Sequence, residues 1–285
     1  MENGMLLTSY IADQIWLCAY PVRLAGTRFE ARMTVIRLAS GRIMLHSPCP
    51  ITPALVEDIA ALGPVAHIVV PGNFHHLHAA SAQAAFPEAK TWICPGVETK
   101  RPDLRYDGVL GDAAPADWAE DIDQVLVQGT RIMREVAMYH RASRTLILVD
   151  LIENFTDATP NIGGALKLWF KYVLRMWENP KPAPEYRMGW SDWTVAANSL
   201  RRILAWDFQR IVLSHGDLID RFVDLFFIKS SIAWYPLALE GRTKAVFDMT
   251  FNTPSSFLFA TVGERVDSVD LPDRMVRTHW VTIEG

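Results

Sequence analysis

Apolar runs along this chain change period repeatedly, and the changes mark its elements. Residues 14–20 (QIWLCAY) form an aromatic and apolar run closed by Pro21, the pattern of a strand. Residues 32–38 alternate, Ser40-Gly41 turns the chain, and 42–46 return as a partner, so a hairpin is predicted. The stiff SPCP segment at 47–50 leads to Thr52, an N-cap candidate for a helix over 53–62 that Gly63-Pro64 ends. Ile68, Val69 and Val70 read as a buried strand stopped by Pro71-Gly72-Asn73, followed by a helix over 79–85 and a strand over 90–94. Residues 96–120 lack periodicity and predict loop, while 125–128 are a short apolar run.

Strands over 135–139 and 145–149 flank Arg141-Ala142-Ser143 as a second hairpin, which puts His140 in its turn, at the surface. Over 162–177, Lys167, Lys171 and Arg175 recur at i, i+4, i+8 and draw one charged stripe on an otherwise apolar helix. Its apolar run falls short of the roughly 18 residues of a membrane span. It reads as a largely buried helix with one wet edge, a membrane-surface helix being the alternative. The Pro-rich residues 179–184 form a stiff linker, and Asp192 caps a helix to about residue 205. A strand over 211–213 then enters the loop Ser214-His215-Gly216-Asp217, and a helix is predicted from about 218 to 235. The last fifty residues give no firm assignment.

Hairpins beside strand–helix steps predict an α/β fold, a sandwich of mixed sheets with helices outside. One domain is expected over 1–285, with a helical insertion at about 155–206 and a C-terminal extension at about 236–285.

Composition narrows the function classes. A net charge of −4 offers no basic field for nucleic acid. The three cysteines lie far apart with no CxxC pair, and the N-terminus shows no basic-then-apolar leader. A cytoplasmic protein without a transmembrane segment, a disulfide framework or a structural zinc knot is expected.

Candidate chemistry begins with His75, His76 and His78, three imidazoles within four residues at the end of a strand. Loops at strand ends carry ligands in α/β folds, so the cluster marks a site or a group of solvated side chains. His46 also ends a strand. No Gly-x-Ser-x-Gly elbow or Walker loop is present. Trp169, Trp177, Trp190, Trp193 and Trp206 crowd one stretch, as core packing or as a wall over a substrate pocket.

Five pieces occur in order: Arg32-Met33-Thr34-Val35, His46-Ser47-Pro48, Pro71-Gly72-Asn73-Phe74-His75-His76, Ser143-Arg144-Thr145-Leu146 and His215-Gly216-Asp217. Together they resemble an uncharacterised branch of the metallo-β-lactamase-like superfamily, over roughly residues 5 to 235. The resemblance implies an αββα four-layer sandwich of mixed sheets whose strand-end loops carry metal ligands. The superfamily pattern is His-x-His-x-Asp-His, then Gly-His-Thr, then Asp, then a last His. Asp150 matches the Asp, His215 the last His, and His76-Leu77-His78 the first pair; Ala79-Ala80-Ser81 stand where the Asp-His half belongs. Counting back from Asp150 places Arg131 at the Gly-His-Thr histidine, and a permanent cation repels a metal.

The implied function is a metallo-hydrolase-like protein acting on a small ester, lactone or related substrate. Its metal candidates are His75, His76, His78, Asp150 and His215, holding one zinc or iron ion or none. Asp150 and His76 are the catalytic candidates; Arg131, Glu135 and Trp193 are the substrate-binding ones. Glu135 is a candidate substitute ligand or a partner of Arg131 or Arg134. The alternative is a metal-free ligand-binding relative that keeps the cleft; a di-iron redox relative is disfavoured by the missing carboxylates. The expected partner is a small molecule, with a homodimer compatible.

Overall fold

A computed structural model describes residues 5–24 and 26–220. Among them, eleven strands make two sheets. The larger runs in spatial order β1 (Leu7–Ile11), β2 (Ile15–Leu24), β3 (Thr27–Arg37), β4 (Ile43–His46), β5 (Val65–Val70), β6 (Lys90–Ile93) and β7 (Gly108–Val109). Neighbours from β1 to β4 are antiparallel and those from β4 to β7 parallel. The smaller sheet has the order β11 (Arg210–Leu213), β10 (Thr145–Leu148), β9 (Glu135–His140), β8 (Ile122–Val127). Its β10 and β11 are parallel and its other pairs antiparallel.

Alternation along the strands builds the layers. Val35, Leu45 and Ile68 join a core with Leu55 and Ile59 of α1 (Pro53–Leu62) and Ala82 of α2 (Ala79–Ala85). Their chain neighbours Ile36, Met44 and Val69 point the other way, into a second core with Val136, Met138, Ile147 and Val212 of the smaller sheet. The far face of that sheet, with Ala137, Tyr139, Leu146 and Leu148, packs on Ala196, Leu200 and Ile203 of α6 (Trp193–Leu204). The order helix, sheet, sheet, helix is the αββα sandwich of mixed sheets. Each such aliphatic side chain contributes about 1.5–3 kcal/mol when fully buried, so strands covered on both faces read as continuous apolar runs.

Local signals place their elements well. The Thr52 hydroxyl accepts the Leu55 N–H at 3.3 Å with Pro53 opening α1, and Asp192 caps α6 through the Val195 N–H at 3.1 Å. Elsewhere the structure differs from the sequence pattern. β2 runs through Pro21, which pairs with Glu30 of β3. Its other edge meets β1 only as far as Cys18, so beyond that point the missing proline N–H breaks no ladder. His140 is a buried residue of β9, its Nδ1 2.7 Å from the Ser143 hydroxyl, and not a surface turn residue. Residues 96–120 hold the short α3 (Val97–Lys100) as well as β7.

The helix predicted over 162–177 is instead a short α4 (Gly164–Leu168) continued by a π-helical turn, Trp169–Leu174. Its Leu166 and Phe170 reach inward while Leu168, Trp169, Tyr172 and Val173 are exposed. α5 (Pro184–Gly189) then leads to α6. Residues 218–220 are not helical; beyond Asp220 the predicted helix, and all of the 236–285 extension, lie outside the described residues. No helix among the described residues is long and apolar enough to cross a membrane. All three cysteines are buried and unbridged.

Candidate functional site

The loop after β5 is stitched to the smaller sheet by Asn73. Its N–H donates to the Arg134 carbonyl, its side-chain oxygen accepts the Arg134 N–H, and its amide donates to the Ile132 carbonyl, all at 3.0 Å. A turn bond from the His75 N–H to the Gly72 carbonyl then aims His75 inward. The buried His75 ring has its Nδ1 2.7 Å from the Ser47 hydroxyl and its Nε2 3.1 Å from Asp150 Oδ2.

Asp150 follows β10, and its turn is held by Glu135 at the start of β9. The Glu135 carboxylate accepts the N–H groups of Val149, Asp150 and Leu151 at 2.8, 2.9 and 2.7 Å. Asp150 is thereby presented with each oxygen toward a different imidazole.

His215 follows β11, its Nε2 3.4 Å from Asp150 Oδ1 and its Nδ1 3.3 Å from the Glu30 carbonyl. Gly216 behind it has φ +82°, and a Cβ there would lie 2.0 Å from the Asn154 carbonyl oxygen. The Arg32 guanidinium clamps this loop through the carbonyls of Leu213 and Gly216.

Burial opposes a charge on Asp150, yet the two imidazoles, His75 foremost, hold its carboxyl well below the usual carboxylate range. Burial likewise opposes an imidazolium at His215, but the Asp150 hydrogen bond and the charges of Asp150 and Glu153 raise its pKa. Burial and the Asp150 charge push Glu135 up to about 7 against the three N–H donors. Burial pushes Glu153 up to about 8, and its Oε2 is buried without a partner. Burial, then the His75 charge, drives His46 down to about 3.

The coordinating atoms of His75, Asp150 and His215 all lie within 4.8 Å of one another. A carbonyl only accepts, so the neutral His215 ring carries its proton on Nδ1 and keeps a lone pair on Nε2. Two imidazole Nε2 atoms and a carboxylate are a donor set that fits zinc or iron. The field that raises the His215 pKa also makes a proton and a metal competitors for this place.

The other predicted site residues lie outside that group. His76 is half-buried, its carbonyl accepting from Arg101, and burial, Lys100 and Arg101 lower its pKa. His78 begins α2, edge-on to Tyr20 at 5.3 Å between ring centroids. Arg131 is exposed, its N–H bonded to the Gly189 carbonyl at 2.8 Å. Trp193 is 39% exposed and neighbours Trp190 at 6.1 Å between ring centroids. Instead of one aromatic wall, Trp206 stacks on Tyr139 and Trp177 lies under Lys167. Ser47, Arg32 and Glu153 are not among the predicted site residues. The pieces His46-Ser47-Pro48 and Arg32-Met33-Thr34-Val35 contain the first two; no signal in the sequence marks Glu153.

The family model described as a domain of unknown function, DUF4336, matches residues 12–201. The chain belongs to the DUF4336 family. No curated protein matches it in sequence. Among solved structures, the DUF4336 chain is similar to a metallo-β-lactamase from Pontibacter korlensis at TM-score 0.54 and 13% identity, over 83% of this chain and 98% of that one. It is similar to a metallo-β-lactamase from Hirschia baltica at TM-score 0.54 and 10% identity, over 82% and 98%. A metallo-β-lactamase from Pseudomonas aeruginosa in its mono-zinc form gives TM-score 0.51 and 11% identity, over 81% and 95%. At such identities the likeness speaks for the fold, and the fold is metallo-β-lactamase-like.

Proposed function

We propose that this DUF4336 protein is a metal-dependent hydrolase of a small ester, lactone or related molecule, with one zinc or iron ion held by His75, Asp150 and His215. One observation carries the reading: three loops deliver two imidazoles and a carboxylate to one point, with each ring's other nitrogen engaged elsewhere. Bound there, the ion supplies Lewis acidity and lowers the pKa of water toward neutrality.

The chain's own groups do the rest. Asp150 stays anionic and orients both rings through its two oxygens. His76, next to His75 on the same loop, is assigned the proton relay; burial and the charges of Lys100 and Arg101 lower its pKa. Glu135 positions Asp150 through the backbone and does not reach for substrate. Arg131, bonded to the Gly189 carbonyl, and Trp193, beside Trp190, are assigned to substrate. The unbridged cysteines suit a reducing cytoplasm.

A second reading, a binding protein that keeps the cleft without a metal, draws on His76 and His78 standing apart from the converging group. Metal analysis of protein purified without chelator separates the two. About one equivalent of zinc or iron, lost with ester or lactone hydrolysis in His215→Ala, is expected. Metal-free protein that still binds a small molecule overturns the hydrolase.

A further inference from the structure

We propose that the Gly164–Leu174 segment docks the protein on an anionic lipid surface. Leu166 and Phe170 turn inward to Phe155 and Met176. The remaining apolar side chains face outward: Leu168 is 60% exposed, Trp169 53%, Tyr172 67% and Val173 56%. Met188 on α5 is exposed as well. Large apolar side chains so grouped, rather than scattered singly, mark an interaction site.

Charge identifies the occupant. Residues 164–177 contain Lys167, Lys171 and Arg175 and no acidic residue, in a chain whose net charge is −4. Lys167 pairs with Asp157, while Lys171 and Arg175 are exposed and make no ion pair among the described residues. A second copy meeting this face with its own would set cation against cation. A nucleic acid would use the aromatic rings and the cations but leave Leu168 and Val173 without a role. Trp and Tyr at headgroup depth, aliphatic side chains below them and unpaired cations beside acidic headgroups satisfy every exposed group at once.

The segment is anchored well enough to serve. The Gly163 N–H donates to the Arg28 carbonyl at 2.9 Å, and Phe29, next along β3, packs on the inner face of the segment. The docking reading stands whether or not the site beside it holds a metal.

Co-sedimentation of the full chain with vesicles of phosphatidylglycerol and phosphatidylcholine, against phosphatidylcholine alone, tests it. Binding at least ~10-fold tighter to the anionic vesicles, weakened by salt, is expected. Trp169→Glu with Tyr172→Glu abolishes partition, and Lys171→Glu with Arg175→Glu removes the anionic preference. Both variants keep the wild-type melting temperature, since the altered side chains are exposed. Equal or absent binding to the two vesicle types overturns the proposal, as does binding that either double variant leaves unchanged. Self-association abolished by Trp169→Glu, in place of vesicle binding, assigns the face to a second copy and overturns it too.

Discussion

The Ser47 hydroxyl lies 2.7 Å from Nδ1 of His75, with both side chains buried. Ser47 has φ +55°, so the aim of the hydroxyl is set by an unusual backbone turn where the chain leaves β4. Partners of this kind hold a ligand ring at its working angle. Ser47→Ala should therefore weaken zinc binding by roughly 10-fold with little change in fold. Competition against a chromophoric chelator measures it, and an unchanged affinity would remove Ser47 from the site.

Raised pKa values make the folded chain hold protons that the unfolded chain has already released. Glu153 titrates at about 8 when folded against ~4.3 unfolded, and Glu135 at about 7. His215 is raised from its ordinary ~6.5. All three shifts make stability fall as pH rises through the window between unfolded and folded values. His46 works in the opposite sense, but between its folded value of about 3 and ~6.5, and so do His67, His76, His78 and His140, whose pKa values burial also lowers. Above the histidine range the raised groups decide the sign, so metal-free protein should melt lower at pH 8 than at pH 7. Glu153→Gln should flatten that slope and stabilise the pH 8 form by on the order of 2 kcal/mol. Thermal melts across this range check the sign; a melting temperature that rises from pH 7 to 8 contradicts it.

Replacing Glu135 by Gln turns an acceptor oxygen into an N–H donor facing at least one of three backbone N–H groups. Because Glu135 is fully buried, the mismatch should cost about 3 kcal/mol and loosen Asp150. Denaturant unfolding and metal titration on the same variant should move together. Loss of stability with unchanged metal affinity would uncouple Glu135 from the site.

Gly216→Ala meets two obstacles at once: φ +82° and a Cβ 2.0 Å from the Asn154 carbonyl oxygen. Neither yields without moving His215 or the backbone at Asn154. A loss of more than about 3 kcal/mol, or insoluble protein, is expected in expression and melting assays.

The pieces of the fold that local chemistry decides could be read from the chain. Thr52-Pro53 opens a helix because a hydroxyl and a missing N–H suit its first turn, and Ser40-Gly41 closes a hairpin between β3 and β4. Pieces decided at a distance could not. Pro21 is tolerated because β1 stops short of it, a fact about a strand ten residues away. The stripe Lys167, Lys171, Arg175 has helical spacing, yet the inward pull comes from Phe155, Met176 and Phe29 on Leu166, Phe170 and Leu174. The same limit applies to the site. The loop 75–78 stood out by composition, but which imidazole turns inward depends on Asn73 bonds to Ile132 and Arg134. Glu135 looked like a ligand candidate because spacing cannot reveal that three N–H groups already occupy it.

His75 arrives from the larger sheet, whereas Asp150 and His215 arrive from the smaller. The 3.1 Å contact between His75 and Asp150 is consequently a clasp across the seam of the sandwich. A core residue such as Met138 or Val69, far from any reacting atom, shares in setting the width of that seam. Trimming the interior there would slacken the grip on a cation, and loading the cation would cinch the two halves together.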